Sequence, residues 1–252
     1  MLRKKDLKPI SSLENVPKNL RGLADDIVLI AEQIYGKENI AAIYWHGSIP
    51  RGDFVKNESD ADLDIITHKT PVRGHRKKRQ ILIEKILPKW EKLGIADFDV
   101  VAIGKDELHH KDREADVFFC ATDSIKIAGD TQFDLNFSLP NTTQELVTLL
   151  SGSFKLWIQY IKGGELSQQD SKRQIQKRTV RAIYGLAMLN GAPYQRNWRK
   201  YETSIMTYLP NYSKTYKTFI EGGLKLTESL KIADQVCADL AKAGITLKES
   251  WD

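Results

Sequence analysis

The sequence predicts an α/β (α+β) N-terminal half built on a small mixed sheet, followed by an all-α helical bundle. Two observations carry this. From about residue 16 to residue 103, helical and strand-like stretches alternate, the signature of a small sheet covered by helices. After Pro140 the apolar residues recur at helical spacing and no strand pattern appears, which reads as a bundle. The change of character there divides the chain into expected domains 1–139 and 140–252.

The elements follow in order. Residues 16–35 carry Leu20, Leu23, Ile27, Ile30, Ala31 and Ile34 as one helical stripe. The apolar run Ile40–Trp45 reads as a strand, and an acidic strand begins near Asp60. A basic linker, Lys69 to Lys78, opens a helix bearing Ile81, Ile83, Ile86, Leu87 and Trp90, which Pro88 should bend or interrupt. Ile95–Ile103 is rich in β-branched residues and bounded by Gly94 and Gly104, so it is a further strand. In the second half, Asn141 with Gln144 reads as a helix cap. Leu146, Leu149, Leu150, Trp157, Ile158 and Ile161 then continue one helix to Gly163-Gly164. Ser167–Leu189 is the next helix, closed by Asn190-Gly191; a third near Trp198–Tyr208 ends at Pro210. Two more lie on either side of Gly222-Gly223, the last with Leu226, Leu230, Val236 and Leu240. The segments 69–78 and about 125–141 are the expected long, mobile loops.

The chemistry concentrates between Gly47 and Ile65. Asp60, Asp62 and Asp64 alternate with Ala61, Leu63 and Ile65, so in a strand the carboxylates share one face. Like charges so placed repel unless a cation sits between them. All-oxygen ligands favour Mg²⁺ or Mn²⁺ over zinc, and His46 and His68 have no zinc-type partner at a recognisable spacing. A calcium loop would need Gly and Glu where Ile65 and Pro71 stand. Upstream, Gly47-Ser48 and Gly52 offer backbone N–H groups and a hydroxyl able to cradle phosphate oxygens. Asp97 and Asp99 on the next strand share a face, and parity does not choose between them.

Gly47, Ser48, Gly52, Ser59, Asp60, Asp62 and Leu63 together resemble the signature of the DNA polymerase beta-like nucleotidyltransferase superfamily. The resemblance implies metal carboxylates at Asp60 and Asp62. It favours Asp99, which precedes Val100-Val101, as the third catalytic and metal-holding acid, with Asp97 in reserve. It also implies phosphate binding around Gly47, Ser48, Arg51 and Ser59. Asp64 stands where the family is usually apolar and is expected to be a substrate-side or solvent-facing acid. The second half, through Arg181-Ala-Ile-Tyr184, Gly191, Trp198, Lys200, Leu209-Pro210 and Tyr212, resembles the helical domain of aminoglycoside adenylyltransferases of the streptomycin/spectinomycin type. That implies Arg181 and Lys200, with Arg199 close behind, as triphosphate ligands.

These resemblances imply an ATP- and Mg²⁺-dependent adenylyltransferase-like enzyme, with two metal ions, acting on a small-molecule hydroxyl such as an antibiotic-resistance enzyme's aminoglycoside. An acidic, aromatic-walled cleft for such a cation could come from Asp53, Glu58, Asp64 and Trp45. The net charge of +5 and the basic clusters Lys172, Arg173, Lys177, Arg178, Arg181 and Arg196, Arg199, Lys200 invite instead a polyanion. An RNA end or a partner protein, as in toxin–antitoxin pairs, is thus the alternative acceptor, and a non-catalytic nucleotide-binding regulator the third reading. Cys120 and Cys237 match no metal or redox spacing, and the basic N-terminus has no apolar run after it. A cytoplasmic setting without a membrane partner is expected.

Overall fold

The structure, a computed structural model, describes residues 11–69, 75–110, 113–130, 140–164 and 166–250. Those residues divide into two units on either side of Pro140.

Strand alternation builds the first unit. β1 (Ile40–His46) lies antiparallel to β2 (Ala61–Thr67) and to β4 (Ser124–Gly129), and β2 runs parallel to β3 (Phe98–Gly104). The order β3-β2-β1-β4 makes a small mixed sheet. Ile43, Trp45, Leu63, Ile65, Phe98 and Val100 point to one face. There α1 (Leu23–Tyr35) and α3 (His75–Trp90) cover them with Leu23, Ile27, Ala31, Leu82, Ile86 and Trp90. Burying that many large side chains on one sheet face supplies the unit's main hydrophobic stabilisation. The opposite face is thinner: Ala42, Tyr44, Ile66 and Ile103 meet Cys120 of α4 (Glu114–Thr122). Its remaining positions are polar and lie toward the His46 end of β1, where Asp62 and Asp99 stand.

Several local expectations are corrected. The first helix starts at Leu23, after 3₁₀ turns at Leu13–Asn15 and Lys18–Leu20. α3 runs on through Pro88 to Trp90, because the Leu82–Ile86–Trp90 stripe is buried on both sides of it. The expected loop at 125–141 begins as β4, which pairs with β1; residues 131–139 lie outside the described residues, as do 70–74 of the expected linker.

The second unit is helical: α5 (Thr143–Ser151), α6 (Phe154–Lys162), α7 (Gln168–Leu189), α8 (Glu202–Tyr208), α9 (Ser213–Ile220) and α10 (Leu226–Lys242). The expected single helix from 142 to 162 is two, broken at Gly152-Ser153. Its cap is Thr142, whose hydroxyl accepts from the Glu145 N–H at 3.1 Å, one residue later than expected. α7 is the central helix, burying Ile175, Thr179, Ile183, Tyr184 and Ala187 against its neighbours. Among the described residues no helix is long and apolar enough to cross a membrane.

Candidate active site

β1 ends at His46, and the chain turns at once through Gly47 into α2 (Ser48–Arg51). Gly47 has φ +89°, a conformation that side chains rarely adopt. A Cβ there would lie 1.9 Å from Asp62 Oδ2. The phosphate-type loop and the Asp62 carboxylate are therefore in direct contact, and only glycine leaves room for both. Gly52, at φ +80°, closes α2, and the Asp53 N–H donates to the Ser48 carbonyl at 2.8 Å.

The sheet register assembles the acids. Asp62 pairs with His46 across the antiparallel β1–β2 ladder and with Asp99 across the parallel β2–β3 ladder. Asp99 therefore stands beside Asp62. Asp97 precedes β3; its carboxylate accepts from the Phe98 N–H at 2.7 Å and its carbonyl from the Ala61 N–H. Burial and then the negative charge of Asp62 raise the pKa of Asp99 above the ordinary carboxylate value, while Arg79 pulls it down. Arg79 Nη2, on α3, lies 3.1 Å from Asp99 Oδ1. Asp60 lies immediately before β2, half-buried.

Asp64 does not face solvent. It is 2 % exposed, its Oδ2 lying 3.0 Å from His46 Nε2 and accepting from Cys120 Sγ at 3.0 Å. Phe119 stacks on His46 with ring centroids 6.4 Å apart. This cluster ties the end of β1 to β2 and α4 just behind the Gly47 turn. Burial and the charge of Asp64 hold the Cys120 thiol protonated, well above its usual range.

The same buried acid acts on Asp116 of α4, whose pKa is pushed up to about 6 by burial and by Asp64, with Arg113 opposing. The folded carboxyl then holds its proton more tightly than the unfolded chain does, so stability falls as pH rises from about 4 to about 6 and the whole penalty remains above that. Allowing for its partial exposure, Asp116 costs about 1–2 kcal/mol at neutral pH. Asp116→Asn should raise the unfolding temperature at pH 7 and flatten the decline between pH 4 and 6. Thermal unfolding across that range checks it, and an unchanged pH profile would refute the assignment.

Other sequence-expected residues have different tasks. Arg51 is 7 % exposed and its guanidinium lies 2.7 Å from Asp123 and 3.2 Å from Asp53, so it ties the loop to the start of β4. Ser59 is buried, and its hydroxyl accepts from the Val55 N–H at 2.9 Å, closing the loop before β2. Trp45 is fully buried on the opposite face of the sheet and walls no cleft. Ser48 remains half-buried at the head of α2.

Arg181 and Lys200 belong to the helical unit. Arg181 is half-buried on α7 and acts with Arg196 on the Tyr201 hydroxyl, lowering a pKa that burial raises beyond the usual tyrosine range. Lys200 is exposed at the end of a 3₁₀ turn. Arg178 stacks on Trp157, its guanidinium carbon 3.5 Å from the ring centroid. Arg79 and Asp116 were not singled out from sequence, and His46 and Cys120 were weighed there only as metal or redox ligands and set aside. Their only signal is polarity in otherwise ordinary stretches.

The donor set at Asp62 and Asp99 fits a hard divalent cation, with oxygen ligands on adjacent strands and mutual repulsion that a cation would relieve. Asp60, the residue before β2, is the third acid of the motif. Among the described residues, however, no three acidic, histidine or cysteine side chains form a ready-made cage.

No protein-family model matches the chain, and no curated protein matches it. Among solved structures the chain is similar to the crystal structure of spectinomycin adenyltransferase AAD(9) from Enterococcus faecialis with ATP and spectinomycin. The two share 17 % identity at a TM-score of 0.43, over 82 % of this chain and 97 % of that one.

Proposed function

We propose that the protein is a metal-dependent nucleotidyltransferase that moves a nucleoside monophosphate, with ATP as the leading donor, onto a hydroxyl of a small molecule. The observation that supports this best is the juxtaposition of three parts: the Gly47 turn, Asp62 pressed against it, and Asp99 in register beside Asp62. A triphosphate needs backbone donors and a hydroxyl close to carboxylates that can share a cation, and this corner offers all of them. Asp60, Asp62 and Asp99 would hold Mg²⁺ or Mn²⁺, which would supply charge neutralisation at the phosphates. Gly47 and Ser48 would orient the phosphate oxygens. Asp99 would share a cation with Asp62 or, in the alternative role, accept the proton of the attacking hydroxyl at its carboxylate. In-line attack forms the new P–O bond as the bond to pyrophosphate breaks. Arg181 and Lys200 remain proposed phosphate ligands from the helical unit, and an aminoglycoside is one acceptor within the small-molecule class.

The second reading, transfer to an RNA end, is supported by the basic stretch Lys172–Arg181 of α7. Labelled ATP with Mg²⁺, offered separately with aminoglycosides and with single-stranded RNA, distinguishes the readings. The expected result is Mg²⁺-dependent pyrophosphate release with label on the small molecule. Label on RNA alone would select the second reading. ATP binding with no pyrophosphate release for any acceptor would point to a non-catalytic nucleotide-binding module.

A further inference from the structure

One contact at the acidic corner is not explained by the fold. Arg79 reaches from α3 to Asp99, N to O 3.1 Å, with the two side chains 44 % and 63 % exposed. An ion pair this open contributes little to stability, and α3 is already held by Leu82, Ile86 and Trp90. The pair has an electrostatic setting, however. Asp99 stands in register with Asp62, and Asp64 lies one pleat further along the same face of β2, paired with His46. Arg79 brings a full positive charge to the exposed end of this face.

A divalent ion shared by Asp62 and Asp99 would sit against the same carboxylate that Arg79 contacts. Two cations at one carboxylate repel each other, so close approach of the ion and retention of the guanidinium contact oppose one another.

We propose that Arg79 is a stand-in cation: it occupies Asp99 in the metal-free protein and is exchanged for the divalent ion when the site loads. This rests on the nucleotidyltransferase reading and deepens it by adding a residue that controls loading. A singly charged guanidinium yields to a divalent ion delivered with a triphosphate, but it disfavours the ion arriving alone. Metal and nucleotide then enter together.

The test measures Mn²⁺ binding to the nucleotide-free full chain from the electron paramagnetic resonance signal of free Mn²⁺. Arg79→Gln should tighten Mn²⁺ binding about two- to fivefold, the worth of an exposed ion pair. Arg79→Lys, which keeps the charge, should stay near wild type. In an Asp99→Asn background the gain from Arg79→Gln should vanish, because the contested carboxylate is gone. Unchanged or weaker Mn²⁺ binding in Arg79→Gln overturns the proposal, as does a gain that persists in Asp99→Asn. Thermal unfolding of each variant separates these outcomes from a folding defect. The broader reading fails differently: Mn²⁺ binding that survives Asp62→Asn, or that is missing from wild type even with ATP, overturns the nucleotidyltransferase assignment itself.

Discussion

Asp62→Asn is expected to reduce nucleotidyl transfer about a thousandfold or more, the scale of removing a charged group that acts on developing negative charge. The amide keeps the shape that packs against Gly47, where a Cβ would fall 1.9 Å from the carboxylate oxygen, so the turn should survive. Removing one of two neighbouring negative charges also relieves repulsion on Asp99. The unfolding midpoint should therefore hold or rise slightly. Pyrophosphate release and thermal unfolding, measured on one preparation, check both halves. Near wild-type release would end the assignment of Asp62, whereas a collapsed midpoint would make it a structural acid.

The largest stability effect is expected away from the chemistry. Arg51→Ala removes the guanidinium that lies 2.7 Å from Asp123, which is 2 % exposed, and 3.2 Å from Asp53. Breaking a buried pair by removing one member typically costs about 3–5 kcal/mol, since the remaining charge stays desolvated. Arg51→Lys should recover part of this, because one ammonium reaches fewer acceptors than a forked guanidinium. Denaturant unfolding gives the measurement. A loss below about 1 kcal/mol would mean that water reaches Asp123, and the pair would then count as a surface one.

Arg51 also illustrates what a sequence motif leaves out about individual side chains. It lies inside the Gly47–Ile65 stretch, and a basic residue in a phosphate-type loop invites a phosphate role. Its actual partner, Asp123, is 72 residues away in the chain, and no local pattern predicts that meeting. Ser59 is a similar case, its hydroxyl used by the backbone of its own loop. Asp64 has the right parity for the acidic face, but parity carries no information about depth. α4 covers Asp64 and leaves Asp99 open, because Cys120 packs over one end of that face.

β4 and α4 were not legible for a different reason. Ser124–Gly129 is short, lies at the sheet edge and carries Lys126 exposed, so its period-2 signal is weak. It becomes a strand by pairing with β1. Pro88 was misjudged because local propensity disfavours the helix there, while the buried stripe of α3 continues past it.

The sequence by itself determined the fold class, the turn at Gly47-Ser48, and the common face of Asp62 and Asp64. Helical and strand periods, glycine punctuation and side-chain alternation are local properties of the chain. Only the tertiary structure decided that Asp99 rather than Asp97 stands beside Asp62, that Asp64 is buried with His46 and Cys120, and that Arg79 faces Asp99. Those outcomes depend on strand register, on which helix covers which end of a face, and on charges meeting across long loops. Each is a balance of packing and electrostatics between segments far apart in the chain, which local patterns do not record.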